Sequence, residues 1–338
     1  MRVIVTGHAG FIGTHAVEQL IEAGHFVKGI DINLYAGCDF YSMCRPPVSE
    51  FRDVFDLTAA DFKGFDAVFH LAGLSNDPLC ELDESLTWRI NHEGTLHAAR
   101  CAKEAGVPRF LLASSCSIYG KSGDKILGET DALSPITVYA DSKIASEVAL
   151  AEMADESFSP VFLRNATAYG TSPRLRLDLV VNSLTAWAFS TGDIMIMSDG
   201  TPWRPLVHCR DIARAFIHLA EAPRELIHNQ AYNIGRTEEN YQVRDVAAIV
   251  AEEMPGCVIR YARDASPDSR DYRVDFSKFA KAFPEFSFSS TVRDGVRELL
   301  GDYQRFGMTL ERMEGHEFNR LRALQKNSMH LVTAPATR

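Results

Sequence analysis

The sequence predicts an α/β fold built on a doubly wound parallel sheet, with a smaller, mostly helical carboxyl-terminal lobe. Three observations carry this. Short apolar, β-branched runs alternate with longer stretches of helical periodicity through the first half. The first of these runs is followed at once by a glycine-rich turn that opens a helical stretch. Beyond about residue 170 the alternation loosens, and helical patterns dominate. Strands separated by helices imply βαβ units, hence a parallel sheet covered on both faces.

In order, strands are expected at Val3–Val5, Phe26–Ile30, Ala67–Leu71, Phe110–Ala113 and Pro160–Leu163, because each is a short apolar run bounded by polar or turn residues. The helices between them are Ile12–Ala23, Ser85–Ala105 and Val138–Met153. The second half shows helical patterns at Asp178–Thr191, Arg210–Glu221, Val243–Glu253 and Thr291–Phe306, with short strands at Tyr232–Ile234 and Val258–Tyr261. The expected division is a Rossmann-type nucleotide-binding domain over 1–170, to which 203–236 returns, and a substrate-binding lobe from 171–202 and 237–314. A tail follows over 315–338, with an amphipathic helix marked by Phe318, Leu321 and Leu324 and a poorly ordered end.

The chain has 338 residues and a formal net charge of −10, which disfavours nucleic acid and anionic membranes as partners. No apolar run is long enough to span a bilayer, and no signal peptide is apparent at Met1-Arg2. Seven scattered cysteines without Cys-x-x-Cys spacing read as reduced thiols, so a cytoplasmic location without a metal site is expected.

The turn Thr6-Gly7-His8-Ala9-Gly10-Phe11-Ile12-Gly13 has the spacing of a dinucleotide site. Gly7 permits the tight turn, Gly10 lets the backbone approach a pyrophosphate, and Gly13 allows close helix–strand packing. Free N–H groups around Ala9, Phe11 and Ile12 then face the phosphates. Asp31 ends the second expected strand, where a carboxylate accepts from the adenosine ribose hydroxyls and repels a 2′-phosphate, so NAD is favoured over NADP. Asp56 and Leu57 are candidates for the adenine edge.

Tyr139 and Lys143 stand four apart on an expected helix and share one face. A phenol has a pKa near 10, and an adjacent ammonium favours its ionised form. Ser114-Ser115-Cys116-Ser117 ends the fourth expected strand, where a hydroxyl reaches a substrate alcohol or carbonyl. Ser115 is the candidate to share that proton with Tyr139.

Together, the glycine turn at 6–13, His70-Leu71-Ala72-Gly73, Asn91 in Asn-His-Glu-Gly-Thr, the serine-rich strand end and Tyr139-x-x-x-Lys143 resemble the extended short-chain dehydrogenase/reductases. Within these the chain is similar to the NAD-dependent nucleotide-sugar epimerase/dehydratase family, whose best-known members are the UDP-galactose 4-epimerases. The resemblance covers residue 1 to about 305. It implies that Leu71, Ala72 and Gly73 lie against the cofactor, that Asn91 braces an active-site water network, and that Ser115 is the catalytic hydroxyl, four residues before Tyr119. It also implies a homodimer paired through Ser85–Ala105 and the Tyr139 helix, where small residues such as Ala98 and Ala102 suit close packing against a partner and internal packing equally.

The related 4,6-dehydratases carry an Asp-Glu pair directly after the catalytic hydroxyl, and decarboxylases carry Glu at the second place. Here those places are Cys116 and Ser117, which ranks both reactions low. The expected function is C4 epimerisation of a nucleoside-diphosphate sugar by transient hydride transfer to NAD through a 4-keto intermediate. The alternative is an NAD(P)H-dependent sugar 4-ketoreductase. On the substrate side, Arg204 matches the family arginine that grips the diphosphate, and Arg270 is the candidate second arginine. Thr167 stands where the family has a substrate-binding asparagine, and a hydroxyl lacks an amide's donor–acceptor pair. Arg174 and Arg176, just beyond, are candidates to compensate, with a solvated loop charge the favoured reading of each. Ser75, Asn76, Asp77 and Ser117 are candidates to line the sugar site.

Overall fold

Seven parallel strands form the frame of the computed structural model, which describes residues 1–266 and 270–331. They include β1 (Arg2–Thr6), β2 (Phe26–Asp31), β3 (Val48–Phe51), β4 (Ala67–His70) and β5 (Arg109–Ser115). From edge to edge the order is Gln230–Ile234, Ser159–Asn165, β5, β4, β1, β2, β3. Helices on both faces bury the sheet: Val3, Ile4, Val5, Val68, Phe69, Leu111 and Leu112 are all fully enclosed. That two-sided burial is why these strands read as continuous apolar runs rather than alternating ones. The strand order reverses between β1 and β4, which opens a crevice at their carboxyl ends.

The edge strand β3 has no counterpart in the sequence reading. It is four residues long, and Ser49 and Phe51 are exposed, so no apolar run announces it. The helix expected over Ser85–Ala105 contains a discontinuity. Glu84–Trp88 and Gly94–Glu104 are α-helical, and Arg89–Glu93 between them forms a single π turn that carries Asn91. Ala98 and Ala102 on this helix are fully buried beneath it with Val68, Phe110 and Leu112. They pack on the chain's own sheet and are not free to meet a partner.

The carboxyl-terminal lobe is centred on the helices Val180–Thr191, Val243–Glu253 and Val292–Phe306, whose Leu184, Val250 and Leu299 share one core. It holds more strand than periodicity suggested: Asp193–Ser198 pairs with Val258–Ser266, and Trp203–His208 pairs with Thr167–Tyr169 and Asn240–Gln242. Within the segment 203–236, only Gln230–Ile234 joins the main sheet. Short strands paired in twos and threes leave too little periodicity to be read from one sequence.

The tail returns to the body. Phe318 is fully buried and meets Phe40 edge-on at 5.5 Å. The helix Arg320–Leu331 then lays Leu321 and Leu324 against Leu74, Leu79 and Cys80. The poorly ordered end expected beyond it lies outside the described residues. Among the described residues, no helix is long and apolar enough to cross a membrane.

Candidate active site

A cavity of about 840 Å³ fills the crevice between the strand ends and the carboxyl-terminal lobe. One end belongs to the glycine turn. Gly7 has φ +74°, and a Cβ there would lie 2.7 Å from the backbone nitrogen of Ala72, so the turn after β1 rests directly on the turn after β4. Gly10 N–H donates to the Gly7 carbonyl at 3.0 Å, which closes the turn below the start of the helix Gly13–Glu22. Ala9, Phe11, Ile12, Leu71, Ala72 and Gly73 line the same stretch. Asp31 is pinned at the end of β2, accepting from Ala9 N–H at 3.0 Å and Asn33 N–H at 2.7 Å.

Asp56 and Leu57 do not line the cavity; Arg52, Asp53, Val54 and Phe55 do. Asp53 caps a 3-10 turn over Val54–Asp56, and that turn swings Asp56 outward to solvent. Leu57 points into the core at 2% exposure, and its carbonyl accepts from His97 at 2.8 Å.

At the other end, Ser115 and Tyr139 both line the cavity, with the Ser115 hydroxyl close enough to favour the ionised phenol. Ser115 also accepts from Ser117 N–H at 3.1 Å, which fixes the strand end. Its neighbour Ser114 points the other way, into a buried network in which Arg164 forks onto Glu147 at 2.7 and 3.1 Å. Both serines line the cavity, but alternation along β5 commits the Ser114 hydroxyl to the scaffold. Cys116 is buried with its thiol on the Arg164 carbonyl, whereas Ser117 lines the cavity with an unpartnered hydroxyl. The two positions that carry acids in dehydratases therefore hold an enclosed thiol and a neutral hydroxyl.

Tyr139 and Lys143 project from the helix Val138–Glu152, with the Lys143 ammonium nitrogen 5.7 Å from the centre of the Tyr139 ring. Burial pulls Lys143 down to about 8. Burial, with Cys80 and Asp77 nearby, pushes the Tyr139 phenol up, and Ser115 and Arg176 offset that only in part. Desolvation thus prevails over the downward shift that the sequence predicts.

Asn91 does not line the cavity. Its amide is fully buried, accepting from Leu74 N–H at 2.8 Å and donating to the Leu74 carbonyl at 2.9 Å. It clamps the turn after β4.

The candidate substrate residues Ser75, Asn76, Thr167, Arg204 and Arg270 all line the cavity. Arg270 pairs with Asp77 at 2.6 Å, and Arg204 donates to the carbonyls of Trp203 and Arg270. Arg174 and Arg176 are not solvated loop charges: they are 4% and 8% exposed. Arg176 binds Asp178 at 2.6 Å and the Ser75 hydroxyl at 2.9 Å. Sequence reasoning missed Asp178, Asn165, Tyr272 and the tail residues Asn319–Leu321, all of which line the cavity. Arg-x-Asp spacing at 176–178 was a signal; nothing local marks the tail.

Residues 3–235 match the family described as the NAD dependent epimerase/dehydratase family. The chain belongs to this family. Among curated relatives, it is 26% identical over 313 residues to an uncharacterised UDP-glucose epimerase of Bacillus subtilis, covering 88% of this chain and 96% of the relative. It is 25% identical to UDP-glucuronic acid decarboxylase 1 of Arabidopsis thaliana, covering 90% of this chain and 70% of that one. Among solved structures, MoeE5 in complex with UDP-glucose and NAD superposes with a TM-score of 0.75 at 28% identity, over 90% of this chain and 99% of that one. TunA, an NAD-dependent NDP-hexosamine 5,6-dehydratase, shares the fold at a TM-score of 0.80 and 23% identity, over 90% and 98%. The family's cofactor is NAD, and the closed glycine turn, the Asp31 carboxylate facing the cavity and the buried Lys143 suit a dinucleotide. Members act on nucleotide sugars as epimerases, dehydratases and decarboxylases.

Proposed function

We propose that this chain is a nucleotide-sugar epimerase acting at C4. The observation that carries the reading is the meeting of Ser115, Tyr139 and Lys143 in one cavity, with no carboxylate at positions 116 and 117 to assist an elimination. Bound NAD supplies the hydride acceptor and donor. Asp31 and the glycine turn would hold its adenosine and pyrophosphate, and Lys143 its nicotinamide ribose. Tyr139 takes the proton of the sugar C4 hydroxyl, relayed through Ser115, while the C4 hydride leaves. The same phenol returns that proton once the ketosugar has turned its other face. Arg204 and Arg270 suit the substrate diphosphate, and Ser75, Asn76, Ser117 and Thr167 the sugar. The enzyme works in the cytoplasm as a homodimer; exposed Leu86 and Val148, at 42% and 56%, offer an apolar face on the two helices named above.

The test is to dialyse the purified protein, assay the dinucleotide it retains, and follow UDP-glucose and UDP-glucuronate by NMR in deuterated water. Retained NAD and a C4 epimer without solvent deuterium at C4 support the proposal. Stoichiometric consumption of NADH would instead make it a ketoreductase, and loss of water with deuterium uptake a dehydratase.

A further inference from the structure

Two buried guanidinium groups, those of Arg176 and Arg320, line the cavity, and Arg320 rests on the backbone of a third buried arginine, Arg174. Arg174, Arg176 and Arg320 are 4%, 8% and 4% exposed. Arg176 is matched by the buried Asp178, and Arg174 by Asp39 on the rim at 3.3 Å. No carboxylate among the described residues pairs with Arg320. Its Nη2 donates to the Arg174 carbonyl at 2.9 Å, its guanidinium lies over the Tyr35 ring at 4.0 Å, and its buried Nη1 has no acceptor. A buried, unpaired cation is costly, and only a nearby anion offsets that cost well. Burial and the neighbouring Arg176 pull Arg320 down to about 10, which records the same excess of positive charge.

The position is functional ground on both sides. Arg174 reaches Asn33, beside the Asp31 carboxylate, at 3.0 Å. Ser172, two residues before it, donates to the Phe11 carbonyl of the glycine turn at 2.8 Å. Arg176 reaches Ser75, and its charge is felt by Tyr139. Arg320 sits between these groups and is delivered by a helix whose Leu321 and Leu324 pack on Leu74 and Leu79.

We infer that the carboxyl-terminal helix completes the active site, and that Arg320 is the counter-charge for a bound oxyanion, either the cofactor's pyrophosphate or an acid group on the substrate sugar. The inference rests on the dinucleotide and sugar-nucleotide reading of the cavity. A fork of N–H donors suits either anion.

The test compares wild type with Arg320→Gln and Arg320→Lys in the full chain. It measures retained NAD, the affinities for UDP-glucuronate and UDP-glucose, and melting with and without NAD. Loss of a charge-assisted hydrogen bond predicts a weakening of about tenfold or more in Arg320→Gln, with Arg320→Lys in between. If NAD retention falls, the anion is the pyrophosphate; if only UDP-glucuronate binding falls, it is an acid group on the sugar. NAD-free Arg320→Gln should melt no lower than wild type, because the substitution removes an uncompensated charge. Unchanged NAD retention and unchanged affinities overturn the inference, as does a lower NAD-free melting temperature with binding intact. If wild type binds neither sugar nucleotide yet Arg320→Gln sheds NAD, the sugar-nucleotide reading fails and this inference stands.

Discussion

Asn91 holds both backbone groups of Leu74, accepting from its N–H at 2.8 Å and donating to its carbonyl at 2.9 Å. The same amide oxygen would lie 2.9 Å from a Cβ at Gly73, so the turn after β4 is gripped from behind while Leu71–Gly73 face the cavity. The π turn at Arg89–Glu93 is what brings the amide into that register. Asn91→Ala strands two buried backbone groups and should cost about 1–3 kcal/mol for each. Chemical denaturation together with NAD retention checks this: stability and cofactor retention should fall together, and intact retention would argue against the clamp.

Tyr139→Phe removes the proton carrier and leaves the ring's packing in place. Turnover should drop by about 10²–10⁴-fold with NAD still retained. Ser115→Ala should cost less, since the phenol stays.

Lys143, pulled down to about 8 by burial, carries its charge below that pH and loses it above. The rate should therefore decline as pH rises through about 8, because Tyr139 then loses its cationic neighbour. Lys143→Arg keeps its charge at higher pH and should move that decline upward. A declining limb that stays in place in the variant would assign it to another group.

Arg164 and Glu147 form a buried ion pair to which Ser114 is also tied. Arg164→Met leaves a buried carboxylate unpaired and should destabilise by about 3–5 kcal/mol. The double variant Arg164→Met/Glu147→Gln should recover much of that, and the comparison of denaturant midpoints is the measurement.

His70 is enclosed between the Thr6 and Thr95 hydroxyls at 2.9 and 3.0 Å, and burial pulls it down to about 3. Unfolded, it titrates near 6.5. Between those values the unfolded chain binds a proton that the folded chain refuses, so stability falls as pH is lowered. The slope is about 1.4 kcal/mol per unit from this group, beginning near pH 6.5. His70→Asn should be less stable at neutral pH but lose less on acidification; an equal acid slope would count against this account.

The sequence by itself determined the parallel sheet, the glycine turn, Asp31, and the Ser115–Tyr139–Lys143 group. The glycine turn, Asp31 and the Tyr139–Lys143 pair each depend on spacing within a single strand–turn or helix, where periods of 2 and 3.6 fix which side chains share a face. The pleat of β5 gives the physical reason why Ser115 and its neighbour Ser114 part company. Tertiary structure alone decided the rest. Asp56 and Leu57 lost the cavity to Asp53–Phe55 because a 3-10 turn rotated them away. Asn91 became a clamp because a π turn reset the register of its helix. Arg176 and Arg320, 144 positions apart in sequence, became neighbours when the tail folded back over the strand ends. Contacts across such separations are set by the packing of whole elements, and no local pattern of residues records them.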